Sequence, residues 1–417
     1  MAYLARTIDH ELDELLPHLS AIALDGPKGV GKTDTAQRRS HHVIKLDIEQ
    51  QKALVENDIE FSLFREGTIL LDEWQNFPPV WDYVRRQVDA GAPAGRFLLA
   101  GSATPFDPSG THSGAGRIVS LRMRPMGLHE RGIVQPSVSF NQLLNEPGSA
   151  QIQGQTDFRL ADYAHAISAS GFPDIMGLPA RAQRIQLDSY LQRVIDRDLP
   201  EQGVSVRSPE TLRRWMAAYA AASSTTASYS SILDATTGGD GMQPAKTTTI
   251  RYRDHLTQLW LLDPIAGWTT YRNPLKRVAR APKHQLADPA LALRLLGLSA
   301  DSLLKDSGAH MLGPLFESLV ALGVRTLAQA CEGNVYHLRT SDGAHEIDLI
   351  IEGENGALLA IEVKLSPVVN DRDVRHLHWL REEMRDQVSD LVVINTGTHA
   401  YRRTDGVAVV PLALLGL

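Results

Sequence analysis

The stretch Gly26-Pro-Lys-Gly-Val-Gly-Lys-Thr33 constrains the fold more than any other part of the chain. It has the spacing G-x-x-x-x-G-K-[ST], follows the short apolar run 21–24 and precedes a helical pattern, so it reads as a strand–turn–helix unit. Glycines at 26, 29 and 31 let the backbone curl until successive N–H groups face inward. The helix that follows adds its positive end, and the result is a cradle for phosphate oxygens. Gly26, Pro27, Lys28, Gly29, Val30, Gly31, Lys32 and Thr33 are therefore the candidate phosphate-binding residues. Lys32 is suited to reach the terminal phosphates, and the Thr33 hydroxyl to ligate Mg2+.

Further apolar runs at 43–47, 68–72 and 97–100 alternate with helix-length stretches. Near-continuous apolar strands spaced this way predict a parallel sheet covered on both faces, an α/β class fold. The second run ends in Asp72-Glu73, at the carboxyl edge of such a sheet. Asp72 is then a candidate Mg2+ ligand and Glu73 a candidate base for an attacking water. Taken alone, an Asp-Glu pair after a strand reads as a helix cap. Ser102 closes another strand with a hydroxyl able to meet the γ-phosphate or that water. Arg117 is a candidate charge sensor acting within its own chain or on a neighbour, with Arg122 and Arg124 as competitors. The competing reading of each is a solvated loop arginine.

From about 157 to 300 helical spacing dominates, notably at 187–198, 211–222 and 250–262. The Ser/Thr/Gly-rich stretch 223–249 reads either as a linker or as the long turn of a helix–turn–helix. Beyond 310 an amphipathic helix is expected over 312–330, then strands at 335–339, 346–352 and 358–364, a helix over 371–385 and a buried strand at 391–395. Period-two alternation puts Glu362 and Lys364 on one face, and a hairpin brings Asp348 beside them. Glu317, on the preceding helix, is a fourth candidate. Carboxylates converging with a lysine suit Mg2+ held against a phosphodiester, whereas the bland reading is an ion pair between neighbouring strands.

GPKGVGKT, ILLDEWQNFP, LLAGSA and the following Gly116-Arg117 resemble a family of bacterial and archaeal AAA-type ATPases whose ATPase domain is joined to a C-terminal half of unknown function. The resemblance continues through Gly171-Phe-Pro-Asp174, Arg197-Asp198, Ala281-Pro-Lys-His284 with Asp288, and the stretch 313–317. Asp34 and Ala103 depart from it. In addition, Asp348-x13-Glu362-x-Lys364 resembles the PD-(D/E)XK nuclease-like fold of restriction and repair enzymes. The resemblance implies a P-loop ATPase domain over 1–155, a helical, winged-helix-like middle over 156–305 and a nuclease-like domain over 306–417. It implies ATP and Mg2+ as cofactors. The expected function is ATP hydrolysis whose nucleotide state controls the C-terminal module. The alternatives are an ATP-gated, Mg2+-dependent DNA nuclease and a non-enzymatic nucleotide switch or scaffold for a protein partner.

Composition limits the partners. The chain has 42 Lys+Arg against 49 Asp+Glu, a net charge of −7, which excludes a protein that coats nucleic acid. Contact with DNA would need a local patch, and Arg251, Arg253, Arg272, Lys276, Arg277, Arg280 and Lys283 supply a candidate. One cysteine, Cys331, excludes a disulfide framework. Acidic residues through 1–20 argue against a signal peptide, and the apolar tract 407–417 is too short to span a bilayer. A cytoplasmic protein without membrane contact, with an oligomer allowed, is expected.

Overall fold

The computed structural model describes residues 3–102, 114–201, 208–236, 245–268, 281–305, 307–340 and 343–417. Its first sheet is parallel and holds β1 (Ala21–Asp25), β2 (His42–Lys45), β3 (Ile69–Asp72), β4 (Phe97–Gly101) and β5 (Val119–Arg122), in the order β2-β3-β4-β1-β5. β3 and β4 are buried throughout because Ile-Leu-Leu and Phe-Leu-Leu-Ala offer apolar side chains to both faces. β5 escapes the sequence reading: Val-Ser-Leu-Arg is short and half polar, and pairs only through the edge that β1 leaves. The insertion of β4 between β1 and β3 matters for function. It sets the carboxyl ends of three strands side by side, with Asp25 opposite Gly101 and Asp72 opposite Ala100.

The described residues between 160 and 302 are mostly helical, including Leu160–Ala169, Ala180–Arg193, Pro209–Ala221, Lys246–Gln258 and Pro289–Leu295. The stretch expected to be one long turn also contains the helix Tyr229–Ala235. Its first turn is fixed by Ser228, whose side chain accepts from the Ser231 N–H. The glycines at 238, 239 and 241 lie outside the described residues. The helix expected over 250–262 begins earlier and stops at Gln258, since the chain then turns into two antiparallel bridges, Leu262 with Leu286 and Ile265 with Lys283.

The second sheet has seven strands in the order β7-β12-β13-β11-β10-β9-β8. Following β6 (Val138–Ser139), these are β7 (Gly154–Gln155), β8 (Asn334–Arg339), β9 (Glu346–Glu352), β10 (Leu358–Val363), β11 (Val388–Asn395), β12 (His399–Arg402) and β13 (Ala408–Pro411); β14 (Leu415–Gly416) follows. β8, β9 and β10 form an antiparallel meander, and the helix Asp371–Met384 crosses over to β11, parallel to β10. The helix Ala309–Ala330 is buried on nearly all sides instead of amphipathic. Among the described residues it is the one helix long and apolar enough to cross a membrane, but 72% of its apolar stretch is packed inside the fold. The segment 138–155 joins the C-terminal third, for β6 pairs with β14 and β7 with β12.

Candidate functional site

The turn after β1 is tight enough to demand glycine at two positions. A Cβ on Gly26 would lie 2.1 Å from the Met123 carbonyl oxygen, and Gly31, which opens the helix Lys32–Gln37, has φ +96°. Lys32 is buried, and its Nζ donates to the carbonyls of Gly26 and Pro27, each at 2.8 Å. Burial pulls its pKa down to about 8 against the opposing pull of Glu73, Asp25 and Asp72. Thr33 Oγ1 donates to Asp72 Oδ1 at 2.8 Å. A hydroxyl and a carboxylate meeting at a helix N-terminus fit Mg2+ arriving with a nucleotide's phosphates. Burial raises the Asp72 pKa, with the Thr33 hydrogen bond working against it.

Glu73 stands next to this pair with φ +52°, a strained conformation for a residue with a side chain. Its Oε2 accepts from Gln75 Nε2 and, at 3.3 Å, from Ser102 Oγ, while Gln75 also donates to Ser102 Oγ at 3.1 Å. The structure thus brings Lys32, Thr33, Asp72, Glu73 and Ser102 to one strand edge. It does not bring Arg117 there. Arg117 lies before β5, whose Val119 pairs with Ile22 near the start of β1, so it occupies the opposite edge and pairs with Asp89 at 2.9 Å. Arg122 and Arg124 are consumed elsewhere, meeting Asp263 at 3.1 and 2.8 Å, with Arg325 completing the group at 2.8 Å. Ala103 falls outside the described residues.

The phosphate turn is gripped from the middle of the chain. Asp288 Oδ2 accepts from Ser170 Oγ at 2.9 Å and the Gly171 N–H at 2.6 Å. This fixes Phe172 and Pro173 against the turn: side chains built on Gly29 and Gly31 would meet them at 3.8 and 3.7 Å. Arg6 reaches in from the N-terminal side, donating to the Val30 carbonyl at 2.8 Å and the Arg124 carbonyl at 2.7 Å. Lys28 pairs at 2.6 Å with Asp198, which ends a π-helical turn, Val194–Asp198. Beside Gly31 and Thr35 lies a cavity of about 540 Å³ walled by Tyr3, Leu4, Met126 and Pro173. Arg38 lies 3.8 Å over the Tyr3 ring.

The C-terminal candidates also converge, but around an unexpected cation. Lys283 Nζ lies 2.7 Å from Glu317 Oε1 and 3.0 Å from Asp348 Oδ1. The other Asp348 oxygen accepts from the Val363 N–H at 2.9 Å. Lys364 Nζ meets Glu362 Oε1 at 2.5 Å, whereas Glu362 Oε2 is buried without a hydrogen-bond partner. Burial, reinforced by Asp348, pushes Glu317 and Glu362 each up to about 8, while Lys283 overcomes the burial of Asp348 and holds it below the usual range. Lys283 is thus no part of an exposed basic patch: its side chain is 1% accessible. Residues 272, 276, 277 and 280 of that patch lie outside the described residues. Among the described residues no group of three or more His, Cys, Asp or Glu side chains is placed to hold a metal ion.

Residues 19–131 match the family model described as an AAA domain. The N-terminal segment is an AAA-type P-loop ATPase domain. Residues 160–302 and 312–415 match two models described as domains of unknown function (DUF8612 and DUF4143). Uncharacterized proteins of Mycobacterium tuberculosis and Mycobacterium bovis are each 25% identical over 423 residues, spanning 96% of this chain and 82% of theirs. Among solved structures, a Walker-type ATPase of Pyrococcus abyssi is similar at a TM-score of 0.41 and 15% identity, over 70% of this chain and 96% of that one. The ORC2 protein of Aeropyrum pernix reaches 0.28 at 15% identity, over 72% and 92%. Scores this low decide nothing about function.

Within the ATPase domain, sequence reasoning missed Gln75, which orients Glu73, although its place two residues beyond the Asp-Glu pair was a usable signal. Arg6 carried none, and although Asp198 and Lys283 lie in stretches that carry the family resemblance, their pairings were not legible. Their partners lie 24, 170 and at least 34 residues away, and nothing local marks the pairing.

Proposed function

We propose that this chain hydrolyses ATP with Mg2+ and uses the nucleotide state to reposition its middle and C-terminal parts. The observation that carries the reading is the convergence of Thr33 and Asp72 with Glu73 across the strand edge from Lys32. Lys32 would exchange its two backbone carbonyls for β- and γ-phosphate oxygens, and Thr33 and Asp72 would hold Mg2+ between them. Glu73, aimed by Gln75 and Ser102, would polarise the attacking water. The cavity beside Gly31 is of a size to take the base and ribose, stacked near Tyr3 and Leu4. Arg117, remote from its own phosphate turn, would act only on a neighbouring subunit. Lys28–Asp198 and the Asp288 grip would carry the change onward. Glu73→Gln is expected to bind ATP and lose turnover by roughly a hundredfold or more, the usual scale for a lost general base; Lys32→Ala is expected to lose binding. Equal ATPase rates in wild type and Glu73→Gln would overturn the role of Glu73.

A second reading has its own support. The order helix, β8, β9, β10, helix, β11 and the gathering of Glu317, Asp348, Glu362 and Lys364 favour a nuclease-like C-terminal domain. Three helices followed by antiparallel bridges, with Arg251 exposed on the last, favour a winged-helix-like middle that contacts DNA. Cleavage of DNA with Mg2+ that survives Asp348→Ala and Glu362→Ala would remove the nuclease reading.

A further inference from the structure

The C-terminal carboxylates do not present themselves as an open metal centre, and the reason is one side chain. Lys283 belongs to the strand-like segment after the middle helices, where its backbone exchanges both hydrogen bonds with Ile265 at 2.9 Å. From there it drives its ammonium between Glu317 and Asp348, a helix and a strand of the C-terminal part. A divalent cation bridging those two carboxylates would need that same seat, because two cations cannot share it at such distances. The orphaned Glu362 Oε2, in a residue 7% exposed, marks a ligand position the lysine leaves unfilled. The segment is also tied to the other end of the molecule. Asp288, five residues on, holds Ser170 and Gly171, which press Phe172 and Pro173 on the phosphate turn.

We propose that Lys283 is a built-in counter-cation that keeps a divalent-cation site at Glu317, Asp348 and Glu362 closed, and that withdrawal of its segment opens the site. The inference rests on reading those carboxylates as able to ligate a metal. It is independent of whether they cleave DNA.

The test is Mn2+ binding to the full chain without nucleotide, followed by electron paramagnetic resonance. Wild type should show no tight site at these carboxylates. Lys283→Met, neutral and of similar length, should gain one Mn2+ per chain, and adding Asp348→Asn should abolish the gain. A folded Lys283→Met chain that still binds fluorescent ATP but gains no Mn2+ would overturn the gate. Gained Mn2+ without DNA cleavage would keep the gate and remove only the nuclease reading. Should Lys283→Met not fold, amine-reactive labelling of wild type read by mass spectrometry serves instead. Millimolar Mn2+ should raise labelling at Lys283 several-fold, and not in Asp348→Asn; unchanged labelling would overturn the proposal.

Discussion

Asp263 gathers three arginines around one buried carboxylate. Burial alone would raise its pKa, but Arg122, Arg124 and Arg325 together hold it far below the usual carboxylate range. Two of these arginines come from the end of the first sheet and its exit, and the third from the long apolar helix, so one carboxylate ties two distant parts of the chain to its own. Replacing Asp263 with Asn would remove the ion-pair partner that three largely buried guanidinium groups share. The expected loss is about 3–5 kcal/mol, the cost of removing one partner from a buried pair, measured as a lowered urea midpoint. The pH dependence has a definite sign. A depressed folded pKa means the contribution is complete above the unfolded value of about 4 and is lost as pH falls toward the folded one. Wild type should therefore lose stability in acid more steeply than Asp263→Asn, and parallel profiles would count against the charge argument. Nothing in the sequence announces this group. Arg122 and Arg124 look like loop arginines because their partner stands 139 residues from Arg124.

At the scale of elements, the legible parts are those whose signal is local. The phosphate turn could be read because its glycines, lysine and threonine are adjacent, and its physics needs only a strand before and a helix after. β10 could be read as well, since alternation over a few residues sets the face of Glu362 and Lys364. What could not be read is the role of the segment 281–288, which begins in the expected basic patch but works as a brace. Its lysine is turned inward and its aspartate caps the helix Pro289–Leu295 while gripping Gly171. Asp288→Ala would strand the Ser170 hydroxyl and Gly171 N–H in a buried place, at roughly 1–3 kcal/mol for each unpaired donor. Phe172 and Pro173 would then no longer be pressed against the phosphate turn. Affinity for fluorescent ATP is expected to fall about tenfold or more, equivalent to 1.4 kcal/mol. Removing the more exposed pair Arg294–Asp188 through Asp188→Ala should leave that affinity unchanged. Equal affinities for wild type and Asp288→Ala would show that the grip does not shape the nucleotide site.

Across the whole molecule, sequence similarity divides the chain into three stretches that the structure does not keep apart. β14 lies beside β6 and β7 beside β12, so residues 138–155 are laced into the C-terminal third. One continuous apolar core includes Ile22 and Leu24 of β1, Trp215 and Tyr219 of the middle, and Phe316, Leu359 and Ile394 beyond. Charges follow the same plan, with Lys28 bound to Asp198, Arg124 to Asp263 and Lys283 to Glu317. Among the described residues, none of the three stretches can come away whole without exposing core, unlike domains linked by a flexible strap. Calorimetry of the intact chain is therefore expected to show a single cooperative transition. A fragment ending at residue 305 should be insoluble or fail to bind ATP, even though it retains every residue of the phosphate turn. Two well-separated transitions, or a soluble fragment with wild-type ATP affinity, would mean that the strands and ion pairs crossing between the thirds are ornaments on independent domains. In that case the route from phosphate turn to Lys283 would lose its mechanical footing, because an ATPase part that folds alone need not push on anything.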